Sequence, residues 1–400
     1  MAKKATAHHS KSQSGESCPW PLPAEGIDLV LVGIVAAMIL FGLLMVYSSS
    51  FIFAQERAGD GFAFIRKQVF FALAGISILL VTCRINYQKW ATFAYPILGL
   101  AMTLLVCTLI PGLGSKIGGA QRWIKFGNIG FQPGEFAKFA VIFFVAAQLN
   151  RKRERIHTLT AGILSHILLP LPCLILLLMQ PDFGTAVMIM IVVFALMYLA
   201  GVPGRLLLAA FALAASAGLW LAMGTEYRRN RMMTYLDPWR DPSGKGFQIL
   251  QSLVGLHNGR VWGVGLGNGK EKLFYLPEAH NDFIFAVIGE ELGFLGAISV
   301  ILAYVFFIYR GLRIAWNSQT RFGDSFGYLL AAGITLAIGL QGFINMAVVL
   351  GILPTKGLTL PFISYGGSAL LADLFAVGVL LSIARGPRVG FFSIARKPVE

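Results

Sequence analysis

Residues able to perform acid–base chemistry are concentrated in the stretch 274–293, which reads FYLPEAHNDFIFAVIGEELG. Glu278, His280 and Asp282 directly precede an apolar run there. Ionisable side chains beside or inside apolar segments are costly to maintain, so we treat them as functional candidates. Asp282 is the candidate general base, because a second carboxylate four residues earlier and partial desolvation both favour proton uptake. The alternative is that Asp282 caps the next helix.

Two further carboxylates, Glu290 and Glu291, lie inside the same apolar run. At 100° per helical residue, Glu290 falls about 80° from Asp282 and Glu291 falls on the opposite face. The spacing therefore predicts that they cannot share one site. We expect one or both to pair with basic or polar groups inside the protein, which is a structural role.

Cationic residues near the other polar segments could bind a pyrophosphate. Arg122 and Lys125 lie in GGAQRWIKFGNIGFQPGEFAK, residues 118–138, and Lys356 lies in LPTKGLTLPFISYGGS, residues 353–368. The alternative is that these side chains reach the membrane interface and lipid head groups. Trp123 is either an aromatic residue of the membrane interface or a surface for a lipid or sugar ring.

Three more polar residues have simple structural interpretations. Glu135 and Lys138 are three residues apart at the start of an apolar run, which predicts a helical ion pair. Asp182 lies in the turn QPDFGT and is expected to cap the following helix. The segment GVGLGNGK, residues 263–270, lacks the phosphate-loop pattern and is interpreted as glycine-rich turns.

The elements that must position these residues are membrane helices. The chain of 400 residues is 56% hydrophobic and only 13% charged, with 4 cysteines and a net charge of +14. Apolar stretches of about 20 residues are typical of spanning helices. The basic residues lie mostly at the ends of these stretches, which indicates membrane topology and anionic lipid rather than nucleic acid. The cysteine spacing predicts neither a disulfide framework nor a metal site.

Hydropathy predicts an all-α polytopic membrane protein of about ten transmembrane helices with one long extracytoplasmic loop at 225–281. The predicted spans are 27–50, 66–83, 90–111, 135–150, 160–180, 183–200, 206–224, 282–309, 327–350 and 366–385. A polar tail, residues 1–26, precedes this membrane domain, 27–385, and a second tail, 386–400, follows it.

The distribution of Lys and Arg over the short loops predicts the orientation. The connections on one side, including RKRER at 151–155, carry most of these residues. Both termini are therefore expected in the cytoplasm. The loops 51–65, 112–134, 225–281 and 351–365 then face outward, and so does Asp282.

Taken together, the polar segments resemble the SEDS family (shape, elongation, division and sporulation) of bacterial membrane glycosyltransferases. The similarity runs from about 27 to 385 and is most like the division branch. It is carried by QRWIKFGNIGFQPGEFAK, MQPDFGT, YLDPWRDPSGKGFQILQSL, GVGLGNGKEKLFYLPEAHNDFIFAVIGEELGFLGA and GILPTKGLTLPFISYGGS. One departure is Asn281, where the family usually has Thr.

The resemblance implies a SEDS fold in the cytoplasmic membrane at the division septum, and polymerisation of lipid II on the outer face. It implies a class B penicillin-binding transpeptidase and other division proteins as partners. The family's essential aspartate falls on Asp282 and its important tryptophan on Trp123. Inversion at the donor sugar needs one base, and the leaving pyrophosphate needs cations, either the basic side chains above or a divalent ion, Mg²⁺ or Mn²⁺. Glu278 and His280 are expected beside the substrate.

Two rival functions remain open from the residues alone. Buried charges among ten spans would suit a transporter that flips lipid II, although transporter sites usually lie near the middle of the membrane. A scaffold that only recruits a transpeptidase is the third possibility, and it leaves Asp282 without a chemical role.

Overall fold

The computed structural model describes residues 26–117, 120–127, 129–158, 160–224, 234–235, 237–240, 242, 246–272, 279–355 and 357–387. Glu278, Lys356 and nearly all of the two predicted tails lie outside these residues.

The described chain is mostly helical. Its helices are α1 (Leu29–Ala58), α2 (Ala63–Thr82), α3 (Gln88–Leu109), α4 (Pro133–Arg151), α5 (Ser165–Leu168), α6 (Leu171–Met179), α7 (Phe183–Leu199), α8 (Gly204–Met223), α9 (Phe247–Gly259), α10 (Ile284–Phe322), α11 (Ser325–Val349) and α12 (Gly367–Ala384). Short 3-10 turns occupy Arg153–Arg155 and Pro238–Arg240, and a π-helical turn occupies Thr160–Leu164.

Each predicted span coincides with a helix or, for 160–180, with a bent helical pair, so the predicted helical membrane fold is confirmed. Six of the described helices, α1–α3 and α10–α12, are long and apolar enough to cross a membrane. The bent pair Gly162–Leu168 and Leu171–Met179 makes a seventh candidate, with an angle of 42° between its halves. Pro170 lies at the bend, where it cannot donate a helical hydrogen bond.

Helix α4 lies at the centre of the bundle. Almost every side chain from Pro133 to Leu149 is buried, and the helix packs against α3, α7, α11 and α12. A helix that is apolar on all sides must be surrounded by protein or lipid. The charged Glu135 and Lys138 are thus held inside protein rather than at a lipid-facing surface.

Helix α10 is longer than predicted and is interrupted. It continues 13 residues beyond the predicted end at 309, because residues 310–322 contain no proline and the left-handed cap, Gly323 with φ 63°, comes only after them. Gly293 has φ 68° and ψ −163°, which no helical residue adopts. Residues 284–292 are therefore a separate outer segment.

The loop 260–268, which joins α9 to the rest of the outer region, fills this interruption. Phe294 N donates to Arg260 O at 2.8 Å and Leu295 N to Val261 O at 3.3 Å. In return, Val264 N and Gly265 N donate to the carbonyl oxygens of Glu290 and Glu291, both at 3.0 Å. A Cβ atom on Gly293 would lie 2.3 Å from a backbone nitrogen of this loop, so only glycine allows the approach.

One element was not predicted. Residues expected as an outer loop fold into a three-stranded antiparallel sheet of β1 (Gly114–Ile117), β2 (Ala120–Phe126) and β3 (Ile129–Phe131). Ser368 attaches this sheet to the start of α12, since its hydroxyl accepts from Gln132 N and donates to Gly130 O, both at 3.1 Å.

The predicted inner and outer connections collect at opposite ends of the bundle. At the inner end, Arg310 pairs with Asp28 at 2.7 Å, and Tyr87 donates to Asp324 at 2.5 Å. At the outer end, the sheet, the turn before α10 and residues 357–366 meet one another.

Candidate functional site

Asp282 lies in a turn, residues 279–283, directly before α10. The N-cap position of α10 is taken by Phe283, so the interpretation of Asp282 as the helix cap is wrong by one residue. The backbone carbonyl of Asp282 accepts from Asn345 Nδ2 of α11 at 2.8 Å. The Asp282 side chain is only partly buried, and its turn is fixed to α11 through the backbone.

The Asp282 carboxylate and the Arg122 guanidinium border the same point. A Cβ atom built on Gly357 would lie 3.0 Å from Asp282 Oδ2 and 3.6 Å from Arg122 Nη2. The absence of a side chain at Gly357 thus leaves room between a carboxylate and a guanidinium from two elements far apart in sequence. Lys356, whose own position is not described, is the residue before this glycine.

Strand β2 carries three of the predicted substrate residues, and its pairing with β1 is irregular at Arg122, which has no Cα partner on β1. Such an irregularity interrupts the regular alternation of side chains, so the strand pattern does not fix the face that Arg122 occupies. Ile124 is buried and Lys125 is exposed. Trp123 packs over β3, since a Cβ atom on Gly130 would lie 3.2 Å from its ring. Of these residues, Arg122 is the one beside Asp282.

Residues 357–366 are held against the Asp282 turn by hydrogen bonds from α11 and within the loop. Asn345 Nδ2 donates to Leu358 O at 2.6 Å, and Gln341 Nε2 donates to Thr359 O at 3.1 Å. Ser364 Oγ accepts from Leu360 N at 2.9 Å and donates to the carbonyl of Asn281 at 2.7 Å. Asn345 therefore binds both the turn that carries Asp282 and the loop that faces it.

His280 is buried in an aromatic cluster. Its ring centroid lies 4.8 Å from that of Phe64, 5.4 Å from Phe53 and 5.7 Å from Tyr365. Its backbone carbonyl accepts from Tyr365 N at 3.0 Å. The imidazole thus fixes the turn before Asp282 by packing, and its contact with a substrate stays a prediction.

Asp182 caps α7, as predicted. Its carboxylate accepts from Thr185 N at 3.3 Å and from Thr185 Oγ1 at 2.9 Å. Burial raises the pKa of the Asp182 carboxyl, and the positive charge of Arg122 opposes that rise. Arg122 is therefore close enough to influence a second carboxylate besides Asp282.

The predicted ion pair of Glu135 with Lys138 is present, with Nζ 2.9 Å from Oε2. Lys138 Nζ also pairs with Asp373 of α12 at 3.2 Å and donates to Gln341 of α11 at 2.7 Å. The ammonium is fully buried and joins three helices. The pair predicted as a local feature of one helix is thus part of an interhelical network.

Glu290 and Glu291 bind the same loop, which corrects the prediction that they could not share a site. Glu290 accepts from Lys270 N at 2.8 Å and Glu271 N at 3.2 Å. Glu291 accepts from Lys272 Nζ at 2.7 Å and Ser48 Oγ at 2.6 Å. Adjacent helical residues do diverge by about 100°, but residues 267–272 curve around the helix and reach both. The predicted pairing with polar and basic groups is confirmed.

One known protein family matches nearly the whole chain. The family described as cell cycle protein, which covers FtsW, RodA and SpoVE, matches residues 28–388. The chain belongs to the FtsW/RodA/SpoVE family.

Two relatives named probable peptidoglycan glycosyltransferase FtsW illustrate the similarity. The one from Trichlorobacter lovleyi is 45% identical over 366 residues, 92% of this chain and 95% of the relative. The one from Geobacter sulfurreducens is 43% identical over 360 residues, 90% of this chain and 95% of the relative.

Two solved structures of related chains share the fold. A chain from a peptidoglycan synthase complex, described as coordinating polymerization and crosslinking, has a TM-score of 0.71 at 29% identity, covering 90% of this chain and 98% of that chain. The rod shape determining protein RodA of Thermus thermophilus has a TM-score of 0.64 at 27% identity, covering 90% and 97%. The predicted family and fold are confirmed.

Sequence reasoning missed several polar residues of this FtsW/RodA/SpoVE protein. Asp373 had a usable signal, since it is the one acidic residue in the apolar run 366–385 and such residues are functional or structural candidates. Asn345 and Gln341 are neutral residues in an apolar helix, and their long-range hydrogen bonds have no sequence signature. The contact between Lys272 and Glu291 depends on loop folding and had none either.

A metal site is not formed by the residues that the structure describes. Within them, no three His, Cys, Asp or Glu side chains come close enough to hold an ion. The acidic side chain nearest the site in sequence, Glu278, is outside the described residues. The divalent cation thus stays a prediction, and no step of the chemistry below depends on it.

Proposed function

We propose that this chain is a peptidoglycan glycosyltransferase that polymerises lipid II into β-1,4-linked glycan strands for the septal wall in cell division. The observation that carries the proposal is the meeting of the Asp282 carboxylate and the Arg122 guanidinium beside Gly357 at the outer end of the bundle. Family membership and relatives named FtsW support the activity.

In the proposed reaction Asp282 takes the proton from the 4-hydroxyl of the acceptor sugar. The hydroxyl oxygen attacks the anomeric carbon of the donor, and the bond from that carbon to the lipid pyrophosphate breaks. One displacement with one base inverts the anomeric centre. The carboxylate oxygen Oδ2 lies beside Gly357, which has no side chain to block the approach of a hydroxyl from that direction.

The leaving pyrophosphate gains negative charge as this bond breaks, and preorganised cations stabilise such charge in the transition state. Arg122 is placed for this task beside the base. We assign Lys356, next to Gly357 in the chain, a second cationic contact. Lys125 and Trp123, which also lie in β2, are assigned to more distant parts of the lipid-linked substrate, and Glu278 and His280 to its positioning.

The transporter alternative is less well supported. The buried Lys138 ammonium is in direct contact with two carboxylates, Glu135 at 2.9 Å and Asp373 at 3.2 Å. Lys138 lies only about 8 Å along α4 from its outer end, whereas transporter sites usually lie near the middle of the bilayer. An ion network at this depth does not coincide with the central site at which a transported head group would bind.

The experiment that tests the function compares Asp282→Asn with the parent protein. Amide and carboxylate have nearly the same shape, so folding and membrane insertion should be retained while polymer formation falls by a factor of about 10² or more. Asp60→Asn is the control, since Asp60 is another outer acidic residue and pairs with Arg66. Near-parental glycan synthesis by Asp282→Asn would remove this residue from the mechanism.

A second assay separates enzyme from transporter. Purified protein in detergent, given lipid II and a class B transpeptidase whose catalytic serine has been replaced, should make long glycan. A transporter has no sidedness to use in detergent and should make none. Lipid II translocation in liposomes without any polymer in detergent would establish the transporter function instead.

The similarity to a chain of a peptidoglycan synthase complex supports the transpeptidase as partner. We also assign the chain to the cytoplasmic membrane at the septum, with both termini inside and the Asp282 site outside, in contact with other division proteins. The excess of Lys and Arg in the connections at the other end of the bundle supports this orientation.

A further inference from the structure

The loop 260–268 exposes a group of apolar side chains. The exposed fractions are 50% for Val261, 81% for Trp262, 40% for Val264 and 50% for Leu266. The backbone of this loop is fixed by four hydrogen bonds to α10 on either side of Gly293. The apolar side chains are therefore exposed on a loop whose backbone is fixed, and not on an unfolded segment.

Two polar contacts between α1 and α10 show where this loop lies along the axis of the bundle. Asp28 pairs with Arg310 at one level, and Ser48 binds Glu291 at another. At 1.5 Å per residue these levels are about 30 Å apart along α1 and about 28 Å apart along α10. The distances between the two contacts along α1 and along α10 agree with each other, and they equal the hydrocarbon thickness of a bilayer, about 30 Å.

The loop lies at the outer of these two levels. Its carbonyl groups at Arg260 and Val261 bind Phe294 and Leu295, which are about one turn of α10 below Glu291. Phe294 and Leu295 are themselves 60% and 44% exposed, as expected for the lipid-facing surface of a spanning helix. The loop therefore places its exposed apolar side chains next to a lipid-facing part of α10.

We infer that the loop 260–268 inserts Val261, Trp262, Val264 and Leu266 into the outer leaflet of the bilayer and anchors the long extracytoplasmic region there. A Trp side chain at the level of the head groups is typical of membrane interfaces. The neighbouring Arg260 is exposed and can extend its charged end to the phosphates. The occupant of this surface is lipid, and neither a second copy of the chain nor another protein.

Spin labels on the full chain in lipid nanodiscs test the inference. Trp262→Cys carries the label, with Phe294→Cys as the lipid-facing reference and the exposed Asp237→Cys, outside the loop, as the aqueous reference. Cys18 and Cys107 are replaced by Ser, while the buried Cys83 and Cys173 are kept. The label at 262 should collide with molecular oxygen several-fold more than with a water-soluble nickel chelate, as at 294.

Two results would overturn the inference. Nickel-chelate accessibility at 262 equal to that at 237 would place the loop in water. Protection from both reagents would mean that protein covers it, either a second copy or a partner. Leu266→Cys repeats the measurement at the other end of the loop, so that a local effect of replacing Trp262 cannot decide the outcome.

Discussion

At the scale of residues, the candidate site depends on a glycine, which has no Cβ atom. Gly357 lies between the Asp282 carboxylate and the Arg122 guanidinium, and a methyl group there would be 3.0 Å from the carboxylate oxygen. That distance is shorter than ordinary van der Waals contact, so one of the three groups must move. In the proposed mechanism, the absence of a Cβ atom at Gly357 allows the candidate base Asp282 and the cation Arg122 to lie close together.

Gly357→Ala should therefore lower glycan synthesis by a factor on the order of ten or more, because small displacements of a reacting group have large effects on rate. Thermal stability should change little, as the residue is exposed. Gly204→Ala is the matched control, since a Cβ atom there meets nothing within 4 Å. Full activity in Gly357→Ala would show that Asp282 does not need this space.

Glu271 provides a prediction on pH. Burial, together with the nearby Glu290 carboxylate, raises the pKa of Glu271 from 4.5 to about 7. Between these values the folded protein keeps a proton that the unfolded chain releases, so stability falls as pH rises from 4.5 to 7. Glu271→Gln should raise the melting temperature at pH 8, because it adds at most about 3 kcal/mol to the free energy of unfolding. Near pH 4.5 the melting temperature should change little.

The Glu271 experiment compares thermal unfolding in detergent at the two pH values. The control is Glu56→Gln, because Glu56 is exposed near the outer end of α1. A gain in melting temperature that is the same at pH 4.5 and pH 8 would contradict the assigned titration.

At the scale of elements, hydropathy alone predicted the helices because a bilayer demands long apolar segments. Boundaries such as 183–200 against Phe183–Leu199 agree within one residue. The sheet at 114–131 was missed, since its glycine-rich strands lack regular alternation of apolar and polar residues. Proximity of Arg122 to Asp282 could not be predicted either, because it depends on how this sheet packs on the bundle.

Helix α4 is tied to α11 and α12 by the Lys138 ammonium. Lys138→Met should destabilise the protein by about 3–5 kcal/mol, because it leaves Glu135 and Asp373 buried without a counter-charge. Thermal unfolding measures the loss, and the exposed Lys89→Met is the control. Adding Asp373→Asn should restore part of the stability. Equal melting temperatures for Lys138→Met and the parent would mean that the network contributes nothing.

At the scale of the whole molecule, the predicted inner and outer loops gather at opposite ends of one bundle. Contacts such as Arg385 with the carbonyl of Cys83 at one end, and Gln68 with the carbonyl of Ser364 at the other, join segments distant in sequence. The charge distribution then decides which end faces the cytoplasm. The fold therefore separates the two ends of the bundle, and the distribution of basic residues predicts which end faces the cytoplasm.

Cysteine labelling tests this orientation. Trp239→Cys should react with an impermeant thiol reagent in intact spheroplasts, whereas Arg155→Cys should react only after lysis. Both positions are exposed, so a difference reports sidedness rather than burial. Equal labelling before lysis would contradict the orientation.

The interruption of α10 at Gly293 also bears on biosynthesis. A broken helix in hydrocarbon would leave backbone groups without partners, at several kcal/mol for each. Here the partners come from residues 260–265, which leave the ribosome before α10 and belong to a segment that must first cross the membrane. Stable insertion of α10 therefore waits for the preceding segment to fold back onto it. The order of synthesis and the order of assembly agree, because the earlier segment is already outside when the helix that needs it arrives.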